Sequence, residues 1–346
     1  MSDTVPVTTS SPLLLDESKL YFDYNATTPM ALEVIEDVHE AMKEFWGNPS
    51  SSHEEGVKAK KKIHKARQHV ASMISACSKD IIFLSGGTEA NNLVIYSAVV
   101  HFRKWVLSHS NSSSFSKMKP HIITTKVEHD SIKFPLMHRY FIEAGKQQTL
   151  YVTFLSVENL PSAVIDSIRP STCLITVMLA NNETGIMFSV AHIARLLNEV
   201  NRKREAEGLF KILLHTDAAQ AIGKVPVDVT DLNVDFLTIV GHKFYGPRIG
   251  ALYIRNLNVG TPLYPLFYGG GQEKGFRSGT ENTPMVVGLG RACALVQENI
   301  AEYNAHMKKM RIYLERQLKV RKESVGGVLR FPLIGTWNQF HLGGRH

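Results

Sequence analysis

Cysteine is scarce: Cys77, Cys173 and Cys293 are all that 346 residues contain. They lie far apart and share no C-x-x-C spacing, which argues against a disulfide framework or a cysteine-ligated zinc site and fits a reducing compartment. Long apolar runs are also missing. None approaches membrane-spanning length, and the leucines at 13–15 are too few for a signal-peptide core. The N-terminal stretch MSDTVPVTTSSPLLLDESK lacks the arginines of a transit peptide, so a cytosolic protein is expected. No internal repeat is present. Acidic residues are slightly outnumbered, 32 against 39 Lys and Arg, for a net charge of +7. The excess is thinly spread and aromatics do not interleave with it, which argues against a nucleic-acid surface and suits a small anionic ligand. The densest basic run, KAKKKIHKAR at 58–67, continues into Ile63, Ala66, Val70, Met73 and Ile74 at helical spacing. It reads as the solvated face of an amphipathic helix.

Hydrophobic residues make up 44% of the chain, enough for a large core with a second, smaller domain. Apolar, β-rich runs occur at 81–85, 121–125, 150–157, 173–179, 211–217, 236–240 and 250–255. Helix-period stretches such as 89–105, 130–143 and 189–207 separate most of them. Near-continuous apolar strands alternating with helices predict an α/β fold, a mostly parallel seven-stranded sheet covered on both faces. The polar run at 111–119 predicts an exposed loop. One long helical pattern from about 284 to 320 follows the last strand, where a second domain is expected to begin.

Ligands of such sheets sit at the carboxyl ends of the strands. After the first strand comes SGGTEANN (85–92). Gly86 and Gly87 allow close backbone approach, Thr88 brings a hydroxyl, and a helix starts there, as in a phosphate cradle. The plain alternative is a turn capped by Thr88. Asp217 ends an apolar strand, where a carboxylate needs a cationic partner unless it caps a helix, and Gln220 follows three residues on. Lys243, in LTIVGHKFYGP, lies 26 residues further at the mouth of another apolar strand. Burial there lowers an ammonium pKa and makes the amine usable as nucleophile and base. Pyridoxal phosphate requires this combination: a lysine for its aldehyde, a carboxylate for its ring nitrogen and a helix N-terminus for its phosphate. His129 is placed to stack on the ring, with a capping or core role as the alternative. Asn182 is placed to bond the ring oxygen or a substrate carboxylate, and His242 the phosphate.

DYNATTP (23–29), GNPSSSH (47–53), SGGTEANN, VEHDSI, NNETG, HTDAAQ, GHKFYGP and GGGQEKGFRSGTEN (269–282) occur in this order. Together they resemble the cysteine desulfurase and selenocysteine lyase family of class-V, fold-type-I pyridoxal-phosphate enzymes, from about residue 21 to 316. Within it, LTIVGHKFYGPRIGALYIR and LANNETG are most similar to the selenocysteine-cleaving eukaryotic branch. The resemblance implies a lyase that decomposes L-selenocysteine to L-alanine and selenium through a Schiff base on Lys243, with cysteine desulfuration as the alternative. By the same resemblance Asp217 pairs with the pyridine nitrogen and His129 stacks on the ring. Asn182 and Gln220 touch the ring oxygen, and Gly87, Thr88 and His242 hold phosphate. Asn25 and His53 lie near substrate. Thr280 reaches the phosphate in a partner subunit, which implies a homodimer, and a selenium-accepting protein is a further implied partner. Metal, nucleic acid and membrane have no place in this reading. Val240 stands where many family members carry a phosphate-bonding serine.

The resemblance divides the chain into an N-terminal segment (1–28) packing with a small domain, a large cofactor domain (29–278) and the start of the small domain (279–346). In the family that domain continues to a loop with the catalytic cysteine and an arginine for the substrate carboxylate. The stretch VGGVLRFPLIGTWNQFHLGGRH has no counterpart there. The three cysteines read as small buried thiols. The expectation is a chain that binds cofactor better than it turns over, or one that pairs with a complete subunit in a regulatory role.

Overall fold

A computed structural model describes residues 21–109, 118–139, 150–257 and 259–325. Its seven strands are β1 (Ile81–Leu84), β2 (His121–Thr125), β3 (Tyr151–Leu155), β4 (Thr172–Thr176), β5 (Leu213–Asp217), β6 (Phe236–Val240) and β7 (Gly250–Ile254). They form one sheet in the order β1-β7-β6-β5-β4-β2-β3. Only β7 runs against its neighbours; the other pairings are parallel. Each strand coincides with an apolar run of the sequence, shortened by up to three residues at an end, and β4 also begins one residue earlier, at Thr172. The runs are continuous because both faces are covered. Alternate residues serve opposite cores: Ile81 and Phe83 face one, Ile82 and Leu84 the other.

The helices are α1 (Leu32–Glu44), α2 (Glu54–Met73), α3 (Gly87–Ser108), α4 (Asp130–Phe134), α5 (Leu160–Asp166), α6 (Val190–Ala206), α7 (Val229–Leu232) and α8 (Thr283–Val325). Packing of α1, α2 and the start of α8 covers the first core, to which α5 and α6 also contribute, and α3 covers the second. Close approach of α8 to α2 depends on Gly290, where an added Cβ would lie 2.6 Å from the Cα of Ala66. The helix expected over 130–143 ends at Phe134, since Pro135 cannot donate the next backbone bond; a π-helical turn, Pro135–Arg139, follows. Residues 140–143 and most of the 111–119 loop lie outside the described residues, as does the stretch after 325. Among the described residues no helix is long and apolar enough to cross a membrane.

Two expectations for single residues are corrected. Arg67, read as part of a solvated face, is 9% exposed. Its guanidinium grips the Glu273 carboxylate through Nη1–Oε2 (2.7 Å) and Nη2–Oε1 (2.6 Å) and donates to the Ile81 carbonyl at 2.9 Å. The run's lysines do face solvent, but residue 67 falls in line with Ile63, Ala66 and Val70 on the buried side of α2. Cys77, read as buried, is exposed because it lies in the linker between α2 and β1; Cys173 and Cys293 are buried as expected.

Candidate active site

The carboxyl ends of β1, β2, β4, β5 and β6 lie along one edge of the sheet, and a cleft of about 470 Å³ opens there. That is the size of a small-molecule site. Asn25, Gly87, Thr88, His129, Asn182, Asp217, Gln220, His242 and Lys243 all line it. Residues more than 200 positions apart thus converge because five strands end at one level.

Lys243 sits in a single 3-10 turn, Gly241–Lys243, immediately after β6. Its Nζ donates to the backbone carbonyls of Asn25 (2.9 Å) and Ala26 (2.8 Å). The stretch 25–31 runs along the lysine turn: Thr28 N–H donates to the His242 carbonyl, Ala31 N–H to that of Tyr245, and Tyr245 N–H to Thr28 Oγ1. Burial lowers the pKa of Lys243, while Asp217 and Asp23 pull it back up. The direction is the one a nucleophilic amine needs. His242 is likewise lowered by burial, then by the charges of Lys243 and Arg248, and its Nδ1 lies 3.1 Å from Thr27 Oγ1.

Asp217 closes β5, with 6% of its surface exposed. Oδ1 accepts from the Ala219 N–H (3.0 Å) and Oδ2 from Asn91 Nδ2 (2.8 Å). Burial raises its pKa; those two donors and the charges of His129 and Lys243 oppose the rise. Gln220 Nε2 donates to the Asn25 carbonyl (2.9 Å), and its Oε1 accepts from Lys224 Nζ (2.9 Å).

No side chain caps α3, whose N-cap is Gly86, so the alternative of a Thr88 cap is not what the chain adopts. A Cβ on Gly87 would meet Val240 Cγ2 at 2.7 Å. Glycine is therefore required beside Val240, which brings the first turn of α3 against the end of β6. Val240 offers a methyl group where a serine would bring a hydroxyl.

His129 is both a cap and a cleft residue. It is the N-cap of α4, where Nδ1 accepts from Ser131 N–H (3.1 Å) and lies 2.8 Å from Ser131 Oγ. The residue before it, Glu128, is 2% exposed. Its Oε1 accepts from Thr125 Oγ1 (2.8 Å) and Met178 N–H (3.0 Å), while buried Oε2 has no partner. Burial pushes this carboxyl up to about 8, against the pull of those two donors and with help from the Asp217 charge. A carboxyl whose folded value is raised binds its proton more tightly when folded. Stability is therefore lost as pH rises from the unfolded value, about 4.3, towards about 8. Glu128→Gln, which cannot ionise, should flatten this decline. Melting curves from pH 5 to 8 that run parallel for wild type and variant would refute the assignment.

Two predicted residues do not reach the cleft. His53 is exposed at the N-cap of α2, with Nδ1 3.1 Å from Glu55 Oε2. Thr280 lines a separate cleft of about 190 Å³ with Ser85, Arg248 and Arg277. Conversely, Asp23, Asn91, Ser131, Met178 and Glu183 line the main cleft without having been singled out. Asn91 had a legible signal. It lies on the face of α3 that carries Val94 and Ala98 into the interior, where an amide requires partners.

An amine, a buried carboxylate and an uncapped helix start, held on three strand ends around a space of this size, suit a phosphorylated pyridine aldehyde. The donor set leaves none of its three functional parts unmatched. The protein is a pyridoxal-phosphate-dependent enzyme. More narrowly, the chain belongs to the Aminotransferase class-V family, whose model matches residues 20–326. It is 53% identical to the selenocysteine lyase of Bos taurus over 312 residues, 88% of this chain and 70% of the relative. Identity to the cysteine desulfurase IscS of Clostridium botulinum is 39% over 309 residues, 88% and 70% of the two chains. Among solved structures, a NifS-like protein superposes with a TM-score of 0.72 at 33% identity, covering 87% of this chain and 75% of its own.

Proposed function

We propose that the protein is a selenocysteine lyase, converting L-selenocysteine to L-alanine and selenium. The observation that carries this reading is the difference in identity, 53% to a selenocysteine lyase against 39% to a cysteine desulfurase over nearly the same span. The cleft supports the chemistry. Pyridoxal phosphate supplies an aldehyde that captures the substrate amine and a ring that withdraws electrons from its α-carbon.

In this reading Lys243 Nζ would hold the cofactor's aldehyde and, as a free amine, would carry the α-proton between substrate and product. Its lowered pKa suits both tasks, because a proton carrier works best when its pKa lies near the working pH. Asp217 would face the ring nitrogen and His129 the ring face. Gly87, Thr88 and His242 hold the phosphate, and Asn182 and Gln220 the ring oxygen. Asn25, whose Nδ2 donates to the Asn182 carbonyl at 3.3 Å, borders the substrate side. Thr280 serves a second subunit's cofactor in a homodimer, which suits its distance from this chain's own cleft.

The test uses the purified full chain with pyridoxal phosphate, a thiol reductant and either L-selenocysteine or L-cysteine. Alanine and selenide should form together, faster than alanine and sulfide from cysteine. Equal rates from the two substrates would remove the selenium assignment, and no alanine from either would remove the lyase.

A further inference from the structure

Beneath the cleft lies a line of buried polar side chains that the roles above do not use. Thr176, His215, Thr238 and Asn91 are each at most 1% exposed. They follow one another across β4, β5, β6 and α3. Thr176 Oγ1 lies 2.8 Å from His215 Nδ1, and His215 Nε2 lies 3.0 Å from Thr238 Oγ1. Thr238 Oγ1 donates to Asn91 Oδ1 at 2.8 Å. Asn91 Nδ2 then donates to Asp217 Oδ2 and to Ser131 Oγ, both at 2.8 Å. Ser131 Oγ in turn contacts His129 Nδ1 at 2.8 Å.

The direction of every bond in this line is determined. The amide nitrogen of Asn91 faces Asp217 Oδ2 and its oxygen faces the Thr238 hydroxyl. Thr238 spends its one hydrogen on that oxygen and therefore accepts from His215, whose ring hydrogen sits on Nε2. His215 Nδ1 is left bare and takes the hydroxyl hydrogen of Thr176. Burial holds His215 down to about 3, so the ring carries no second hydrogen that would reverse the order. At the other end, His129 Nδ1 already accepts from the Ser131 backbone, so Ser131 Oγ donates to it and is free to accept from Asn91.

We propose that Asn91 is a positioning residue that keeps Asp217 in its charged form and aimed at the cofactor's ring nitrogen. Its own amide is fixed in that orientation by the Thr176–His215–Thr238 line. The proposal rests on the pyridoxal-phosphate reading for its consequence and on this chain's own bonds for its geometry. Asp217 has lost most of its contact with water, and a buried carboxylate keeps its charge only with donors or cations at hand. The ionisable groups that act on it are Glu128 from the end of β2, His129 at the start of α4 and Lys243 after β6. Of these, Lys243 is also the group that bonds the aldehyde. Once its charge is committed there, Asn91 and the Ala219 N–H are the protein's own donors at the carboxylate, beside the ring nitrogen that it faces. The second N–H of Asn91, on Ser131, ties the same amide to the His129 cap, so ring pairing and ring stacking share one anchor.

The test measures binding of pyridoxal phosphate and of its carbocyclic analogue, with C–H in place of the ring nitrogen, to the full-length wild type and to Asn91→Leu. A residue acting through Asp217 matters only where the ring nitrogen is present. Affinity for pyridoxal phosphate should fall roughly tenfold in the variant, the effect of one lost bond to a charged group. Affinity for the analogue should change less than twofold, and the pH midpoint of the bound cofactor's visible band should move. If Asn91→Leu does not fold, the isosteric Asn91→Asp replaces it and should show the same selectivity, since two carboxyls at that distance share one proton. Equal losses for both ligands, or none for either, in a folded variant would overturn the proposal. A wild type that fails to bind pyridoxal phosphate would instead overturn the cofactor reading.

Discussion

Replacing Lys243 by alanine should abolish the visible absorption band that borohydride bleaches and lower alanine production by roughly 10³-fold or more, since proton transfer alone is worth 10²–10⁴. Two functions are lost together. The alanine side chain can neither bond the aldehyde nor carry the α-proton, and functions borne by one group do not separate into additive shares. Binding itself should persist, because the amides of α3, Asp217 and the rest of the cleft are untouched. A variant that keeps the bleachable band would place the covalent bond on another lysine. Lys224 would be the first to examine, since its pKa is brought down to about 8 by burial and then by the Lys243 charge. Charge bookkeeping also predicts a structural effect: the carbonyls of Asn25 and Ala26 lose their shared donor, so the 25–31 stretch should loosen against the lysine turn.

The largest stability change should come from Arg67→Met. Removing one member of a buried ion pair leaves the other charge stranded and costs about 3–5 kcal/mol. Glu273 Oε2 would keep the Phe83 N–H at 2.8 Å, but its opposing cation would be gone. The guanidinium also lies 4.6 Å over the Phe83 ring, and that contact would be lost too. Glu273 and Lys274 hold φ of 47° and 61°, a left-handed backbone that costs about 1 kcal/mol for each residue with a side chain. The ion pair helps to hold that turn, together with the Phe83 N–H on Glu273 and Lys274 Nζ on the Lys79 carbonyl. Urea unfolding of Arg67→Met, Glu273→Met and the double variant should show the double variant recovering most of the loss. A single variant as stable as wild type would show that the pair contributes nothing.

All seven strands were legible because a strand covered on both faces must be apolar throughout, and turn residues punctuate such runs. Lys243 and Asp217 stood out for a related reason, as charges at the ends of strands where solvation is poor. Arg67 was misread because its charge was weighed above its spacing, which sets it in line with Ile63, Ala66 and Val70, and Glu273, 206 positions away, was invisible as its partner. The Asn91 line escaped for the same reason. Its members are ordinary threonines, a histidine and an asparagine inside three strands and a helix, and only the sheet order brings them into file. His53 lies in a recognisable motif, yet a cap position at the start of α2 directs it to solvent. Motif membership carries a residue to a neighbourhood and does not fix its side chain's direction.

The clasp between the 25–31 stretch and the lysine turn has a consequence in time. Asn25 leaves the ribosome early, whereas the Nζ that its carbonyl accepts from belongs to a residue 218 positions later. Closing so long a loop is slow, and the early segment has none of these partners until β6 and the turn after it are made. The floor of the cleft is therefore completed after most of the sheet exists. Until then the early segment remains open to other apolar or hydrogen-bonding surfaces, which makes this step the one most exposed to misassembly during synthesis.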